Sequence, residues 1–348
     1  MAVPSPFDDL THDEHLTALT HVATRALSRY GLADVVPVLH KASQNMLFRV
    51  QPLGRQRPPA LGGAGRGGPE GFALRVHAPG YHSTPEIYEE LQWLVALRRD
   101  TTLVVPTPVP ACDGSLVQEI GGPGDLSLWQ CVLLHWVPGT FRDDTLTPAA
   151  LHGVGAFMAQ LHSHAEQFVA ACTSRPTRSA LFCEVATWRP ALHNAVTVFS
   201  PAELAVLTAA AEWVHTTVQA LGETRDVYGF IHADLHQANY LFQGDTIGAI
   251  DFDDCGWGYY AYDMAVTLSS LEKRPAFPAL EEAFLTGYQR VRPLPRRYAA
   301  CRAVFRAARI LVIVLWILSW PSPASQAWGP AYLQEAVVRL RHFLEHEP

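Results

Sequence analysis

The six cysteines, Cys112, Cys131, Cys172, Cys183, Cys255 and Cys301, include no C-x-x-C pair, so neither a zinc knuckle nor a disulfide framework is expected, and a reducing, cytoplasmic setting fits. Long apolar runs are also missing. The most apolar one, Ile310 to Trp320, has 11 residues and stops at Pro321, whereas a bilayer span takes about 20. It reads as a buried helix, and no membrane partner is expected. Positive charge is not in excess: the formal net charge is -7, which gives a nucleic-acid partner no electrostatic support and would mildly suit a cationic acceptor. The opening residues, MAVPSPFDDL, have no basic region followed by an apolar one, so no signal peptide is expected. No internal repeat is visible. With 49% hydrophobic and 17% charged residues, the composition is globular without a bias to disorder. At 348 residues the chain can bury a large core and form two lobes.

The stretch richest in chemistry runs from Tyr228 to Asp254. Gly229-Phe230-Ile231 reads as a short apolar strand, and the loop His232-Ala233-Asp234-Leu235-His236-Gln237-Ala238-Asn239 is too polar to be core. Asn239 to Gln243 and Thr246 to Phe252 then flank Gly244-Asp245, a dipeptide suited to a tight hairpin turn. The hairpin ends in Asp251-Phe252-Asp253-Asp254 and so returns an acidic cluster to within reach of Asp234 and Asn239. Carboxylates gathered this way repel one another unless a cation neutralises them. Oxygen ligands such as the Asp251 carboxylate and the Asn239 amide suit Mg²⁺, which also binds phosphate, and this points to phosphoryl transfer. An Asp, an Asn five residues later and a hairpin-borne Asp are the kinase arrangement of base, metal ligand and second metal ligand. Two other readings compete: a transition-metal site from His232, Asp234 and His236 at i, i+2 and i+4, or a solvated acidic loop. Neither accounts for the downstream hairpin and Asp251 together.

The stretch resembles the aminoglycoside phosphotransferase and choline kinase family, small-molecule relatives of the protein kinases. Its H-x-D-x-x-x-x-N loop matches His232, Asp234 and Asn239, and its D-[FW]-[DE] strand end matches Asp251-Phe252-Asp253. The resemblance covers residues from about 34 to 270 and is strongest over 228 to 263. It implies an α+β, two-lobed, protein-kinase-like fold. An N-terminal nucleotide-binding lobe, 1–136, would hold an antiparallel sheet and a helix, and a mostly helical catalytic and acceptor-binding lobe would span 137–348. It also implies ATP and Mg²⁺ as cofactors, with Asp234 orienting or deprotonating the acceptor hydroxyl and Asn239 and Asp251 holding the metal. His232 would anchor the loop from beneath. Asp263 resembles the family's buried Asp that braces this loop, a plain helix N-terminal charge being the alternative. Leu161-His162, a pair common in the family, reads as core.

Upstream, Thr11-His12-Asp13-Glu14 fits a capping box, and Gly31 fits the stop of that first helix. Asp34 to His40 and Gln44 to Val50 read as strands. The loop between them has no glycine, yet the resemblance assigns it, through Ser43 and Asn45, to the ATP phosphates; an ordinary hairpin turn is the alternative. Residues 51–71, dense in Gly, Pro and Arg, read as a flexible insertion. Phe72 to His77 is a third strand carrying Arg75 where kinases place a phosphate-gripping lysine. Arginine keeps the charge but is no drop-in replacement for an ammonium, which leaves a pseudokinase open. The Leu74-Arg75-Val76 pattern and the Ile250 to Asp254 strand end are similar to the homoserine kinase and stress-response kinase branch. Ser83-Thr84-Pro85-Glu86 starts a helix. Glu90 on it would pair with Arg75, with Glu86 as rival.

Val109 to Cys112 and Ser115 to Ile120 read as a hairpin about Asp113-Gly114, and Trp129 to Val137 as a fifth strand. By the resemblance, backbone groups from His135 to Val137 would hold adenine. Helices are predicted from Pro148 to about Phe168, from Pro201 to Gly222, from Gly256 onward, and at about 279–290, 297–320 and 332–345. The expected reaction is transfer of the ATP γ-phosphoryl group to a hydroxyl of a small molecule, amino-acid-like or aminoglycoside-like. The alternatives are a Ser/Thr protein kinase of the stress-response type and a non-catalytic nucleotide-binding module.

Overall fold

Local sequence signals set most element boundaries in the computed structural model, which describes residues 12–42, 45–51, 71–122, 128–171, 195–319 and 323–346. Thr11, Ser43 and nearly all of the Gly-, Pro- and Arg-rich stretch lie outside the described residues. The chain divides into two compact units, residues 1–138 and 139–348.

In the first unit, helix α1 (His12–Arg29) ends in a Schellman turn: the Leu32 N–H donates to Leu27 O, and Gly31 takes φ 74°. Five strands form one antiparallel sheet in the order β1-β2-β3-β5-β4. They are β1 (Val38–Ala42), β2 (Asn45–Val50), β3 (Phe72–His77), β4 (Gln118–Gly121) and β5 (Leu128–His135). Strict alternation of burial along β2 sends Met46, Phe48 and Val50 to the core shared with Leu19, Val22, Ala26 and Leu27 of α1. Helix α2 (Thr84–Asp100) opens on the expected capping box, Ser83 and Glu86 exchanging bonds.

Two boundaries differ from the sequence reading. β1 starts at Val38 instead of Asp34, because Val35 closes a turn onto Leu32 and Pro37 has no N–H to give a ladder. The segment before β4 forms no hairpin strand over Val109 to Cys112. Prolines at alternate positions leave only isolated pairing with β5, the Val109 N–H donating to Leu133 O and the His135 N–H to Thr107 O.

The second unit is mostly helical: α3 (Pro148–Ala171), α4 (Pro201–Leu221), α5 (Tyr260–Ser269), α6 (Phe277–Gln289), α7 (Tyr298–Ser319) and α8 (Pro323–His346). Four short strands complete it as two antiparallel pairs: β6 (Tyr228–Ile231) with β9 (Gly256–Tyr259), and β7 (Tyr240–Gln243) with β8 (Thr246–Ala249). The Ser200/Glu203 capping box starts α4 as its sequence predicts. α3 and α6 touch backbone to backbone, since a Cβ on Gly155 would collide with Phe284 O and one on Gly287 with His152 O.

The sequence reading puts Gly256 to Tyr259 in a helix; they form β9 instead. Trp257 stacks on Tyr228 at 5.8 Å between ring centroids, and β6 offers an unpaired edge to a four-residue partner. α8 starts at Pro323, not near Tyr332, and carries Pro330 inside it. Packing overrides the proline: Trp328 stacks on Trp316 of α7 at 5.9 Å, and Gly329 lies against Ile317. No described helix is long and apolar enough to cross a membrane.

Candidate active site

The loop after β6 takes its shape from one buried carboxylate. Asp263, in the first turn of α5, accepts the His232 N–H at 3.2 Å and the Ala233 N–H at 2.8 Å. Those bonds hold Ala233 at φ 68°, a conformation an alanine seldom adopts. Asp263 is fully buried and is itself answered by His162 Nε2 at 2.8 Å, while His162 Nδ1 meets the Tyr288 hydroxyl at 2.9 Å. Burial lowers the His162 pKa even though Asp263 pulls it the other way. The His232 ring lies beneath the loop, its Nε2 on Ile250 O at 3.1 Å and its Nδ1 accepting the Asp234 N–H at 3.3 Å. With both ring nitrogens used in this way, His232 is an anchor and is not free to join Asp234 and His236 around a transition metal.

Asp234 and Asn239 come together. The Asn239 Nδ2 donates to Asp234 O at 2.9 Å and to Asp234 Oδ2 at 3.0 Å. The Asn239 carbonyl accepts the Ile250 N–H at 2.9 Å, which brings the end of the β7–β8 hairpin beside the loop. Asp251 follows at φ 64°, ψ 57°, a second left-handed residue, and Phe252 packs on His232 at 4.4 Å between ring centroids. Gln237, in the same loop, donates to the Arg142 and Asp143 carbonyls at 3.3 Å, and Arg274 donates to Gln237 Oε1 at 2.9 Å. The hairpin is also tied to the first residues of this unit, because Thr140 and Phe242 exchange backbone bonds of 3.0 and 2.9 Å.

Two further partners of Asp234 escaped the sequence reading. His236 Nε2 stands 3.4 Å from Asp234 Oδ2, its Nδ1 accepting the Ala238 N–H at 3.1 Å. Arg309 of α7 donates from Nη2 to Asp234 Oδ1 at 2.7 Å. Burial alone would raise the Asp234 pKa, but His236 and Arg309 outweigh it and hold the carboxyl well below the usual carboxylate range. Arg309 is also hydrogen-bonded to the Tyr262 hydroxyl. One signal was present in the sequence: an arginine directly before the most apolar run of the chain needs a partner.

The donor set suits a hard cation. With the amide nitrogen of Asn239 committed to Asp234, its Oδ1 is the atom left to coordinate, and Asp251 supplies a carboxylate nearby in the chain's path. Oxygen donors of this kind, completed by water and phosphate, are what Mg²⁺ takes.

In the first unit, Arg75 and Glu90 are buried and joined by an ion pair of 2.6 Å, with Arg75 Nε also 3.2 Å from His77 Nε2. The rival Glu86 is occupied by its capping box with Ser83. Asn45 opens β2 opposite His77. His135 ends β5 and Val137 is buried; the His135 N–H is given to Thr107 O at 2.8 Å and the Trp136 N–H to Gly71 O at 3.1 Å, so two donors of this stretch are engaged within the unit.

The model of the phosphotransferase enzyme family matches residues 62–301, more than half of the chain. An uncharacterized protein of Deinococcus radiodurans is 31% identical over 304 residues, covering 84% of this chain and 80% of its own length. A homoserine kinase of Bradyrhizobium diazoefficiens is 28% identical over 244 residues, 68% of this chain and 70% of the kinase. Among solved structures, a microcompartment-associated aminopropanol kinase superposes with a TM-score of 0.74 at 29% identity, over 94% of this chain and 98% of its own. The helical unit with its braced Asp-Asn loop, the antiparallel sheet unit and the family match lead to one statement: the chain belongs to the phosphotransferase enzyme family.

Proposed function

We propose that this alcohol phosphotransferase uses ATP and Mg²⁺ to phosphorylate a hydroxyl of an amino-acid-like or aminoglycoside-like small molecule. The observation that carries the reading is the Asp234 carboxylate, kept ionised by Arg309 and His236 on a loop that buried Asp263 locks in shape. A carboxylate so placed accepts a hydrogen bond from an alcohol and aims the oxygen lone pair at phosphorus. The acceptor oxygen then bonds to the γ-phosphorus as the bond to the bridging oxygen breaks, its electron pair leaving with ADP, and the hydroxyl proton passes out by way of Asp234. Bound Mg²⁺ would neutralise phosphate charge, with Asn239 Oδ1 and Asp251 as its ligands. Arg75, fixed by Glu90, would pair with the phosphates, Ser43 and Asn45 would cover them, and main-chain groups between His135 and Val137 would hold the adenine.

The relatives with assigned activities, a homoserine kinase and an aminopropanol kinase, are named for small acceptors, which weighs against the alternative of a Ser/Thr protein kinase. Transfer of label from γ-labelled ATP to pooled small alcohols, compared between wild type and Asp234→Asn, tests the reading. The variant should lose roughly 10²–10⁴-fold in turnover and still bind nucleotide. Equal transfer by both proteins would remove Asp234 from the reaction.

A further inference from the structure

α7 carries a row of arginines, Arg302, Arg306 and Arg309, spaced i, i+4 and i+7 on one face. The first two have carboxylates of their own. Arg306 binds Glu272 at 3.2 Å and Glu281 at 2.5 Å, and Arg302 reaches Glu281 at 3.9 Å. Glu272 is shared in turn with Arg339 of α8. Arg309 differs: its carboxylate is Asp234, the group that must also receive the acceptor hydroxyl.

The two oxygens of Asp234 are unequal. Oδ2 already takes Asn239 Nδ2 and faces His236 Nε2, whereas Oδ1 takes Arg309 alone among the described residues. A carboxylate oxygen has two lone-pair sites, so an incoming hydroxyl has its place on Oδ1, beside the guanidinium. That guanidinium has five N–H donors, and the described bonds to Asp234 and the Tyr262 hydroxyl leave others over. Its side chain is 13% exposed and that of Asp234 20%, so neither is sealed from solvent. A fork-shaped cation next to the hydroxyl position is a receptor for a planar anion carried on the same small molecule.

We propose that Arg309, while bound to Asp234 Oδ1, reads a carboxylate on the acceptor through the N–H donors that Asp234 and Tyr262 leave over. The inference rests on Asp234 being the group that receives the hydroxyl, and it narrows the substrate class to hydroxy acids and hydroxy amino acids with the hydroxyl a few bonds from the carboxylate. Amino alcohols lacking that group are second-rank acceptors. Arg309 then sets specificity, holding the acceptor carboxylate with its remaining N–H donors while its bond to Asp234 Oδ1 stays beside the seated hydroxyl.

The test is γ-phosphoryl transfer to matched pairs that differ only in that charge: serine and serinamide, homoserine and homoserine amide, 5-hydroxynorvaline and its amide, alongside 3-amino-1-propanol. Wild type should favour the carboxylate member of at least one pair by about 10–100-fold in kcat/KM, the worth of a charge-assisted bond. Arg309→Gln should shrink that ratio to a few-fold, chiefly through KM for the carboxylate member, and Arg309→Lys should restore part of it. Equal use of both members by wild type, or an equal loss on both in Arg309→Gln, overturns the proposal and leaves Arg309 as a positioning residue for Asp234. Transfer to 3-amino-1-propanol or other alcohols without a carboxylate alone, still dependent on Asp234, also overturns it while the functional reading stands. No Asp234-dependent transfer to any alcohol brings down both.

Discussion

Asp251 and Ala233 occupy left-handed backbone conformations that cost non-glycine residues roughly 1–3 kcal/mol each; Ala233 lies in the loop that carries Asp234, and Asp251 follows the hairpin after it. Asparagine tolerates that conformation, so Asp251→Asn removes charge with little change of backbone. The Mg²⁺ concentration needed for half-maximal transfer should rise on the order of tenfold, the worth of one charged ligand contact; an unchanged metal titration would exclude Asp251 as a ligand. In the other unit, Glu90→Ala leaves Arg75 buried without its 2.6 Å partner and should cost about 3–5 kcal/mol in urea unfolding. The pairings Asp234 with Asn239 and Arg75 with Glu90 were legible because their signals are local: one loop holds the first pair, and Glu90 lies on the helix after the strand that carries Arg75. Arg309 was not, because 75 residues separate it from Asp234 and only the packing of α7 brings it there.

Elements whose ends are marked by side-chain chemistry were readable, and those set by packing were not. The Ser83 and Ser200 capping boxes fix the starts of α2 and α4, and β3 has the bounds read from the sequence, Phe72–His77. β9 and the first turns of α8 depend on partners distant in sequence: Trp257 on Tyr228, and Trp328 on Trp316. The crossing of α3 and α6 is of the second sort. Gly155 and Gly287 look like helix weaknesses in isolation, yet each marks a place where one backbone reaches the other. Gly287→Ala must therefore push the helices apart at His152 O, and a loss of about 1–3 kcal/mol is expected in denaturant unfolding despite alanine's higher helix propensity. A stabilised variant would mean that the crossing is loose.

Across the whole molecule, stability should follow one buried and one half-buried imidazole. His162 in the helical unit and His135 in the sheet unit both have pKa values lowered by burial from the ordinary value of about 6.5, with Arg98 adding to the shift at His135. Below that value the unfolded chain takes up protons that the folded chain refuses. Their contribution is therefore complete above about pH 6.5 and declines as pH falls through the folded-state values. Asp234, whose carboxyl is held low, adds a further loss only under more acidic conditions, below about pH 4. Thermal unfolding midpoints should drop between pH 7 and 5.5, and His162→Gln should flatten that slope; an equally steep slope in the variant would clear His162 of the effect. One last feature bears on force. The helical unit begins at Gly139, and Thr140 is laced to Phe242 in the hairpin between Asn239 and Asp251. A pull applied along the chain at that first residue reaches this two-bond clasp before any helix of the unit, so in a single-molecule stretching experiment the hairpin beside Asp234 would be the first part to feel the load.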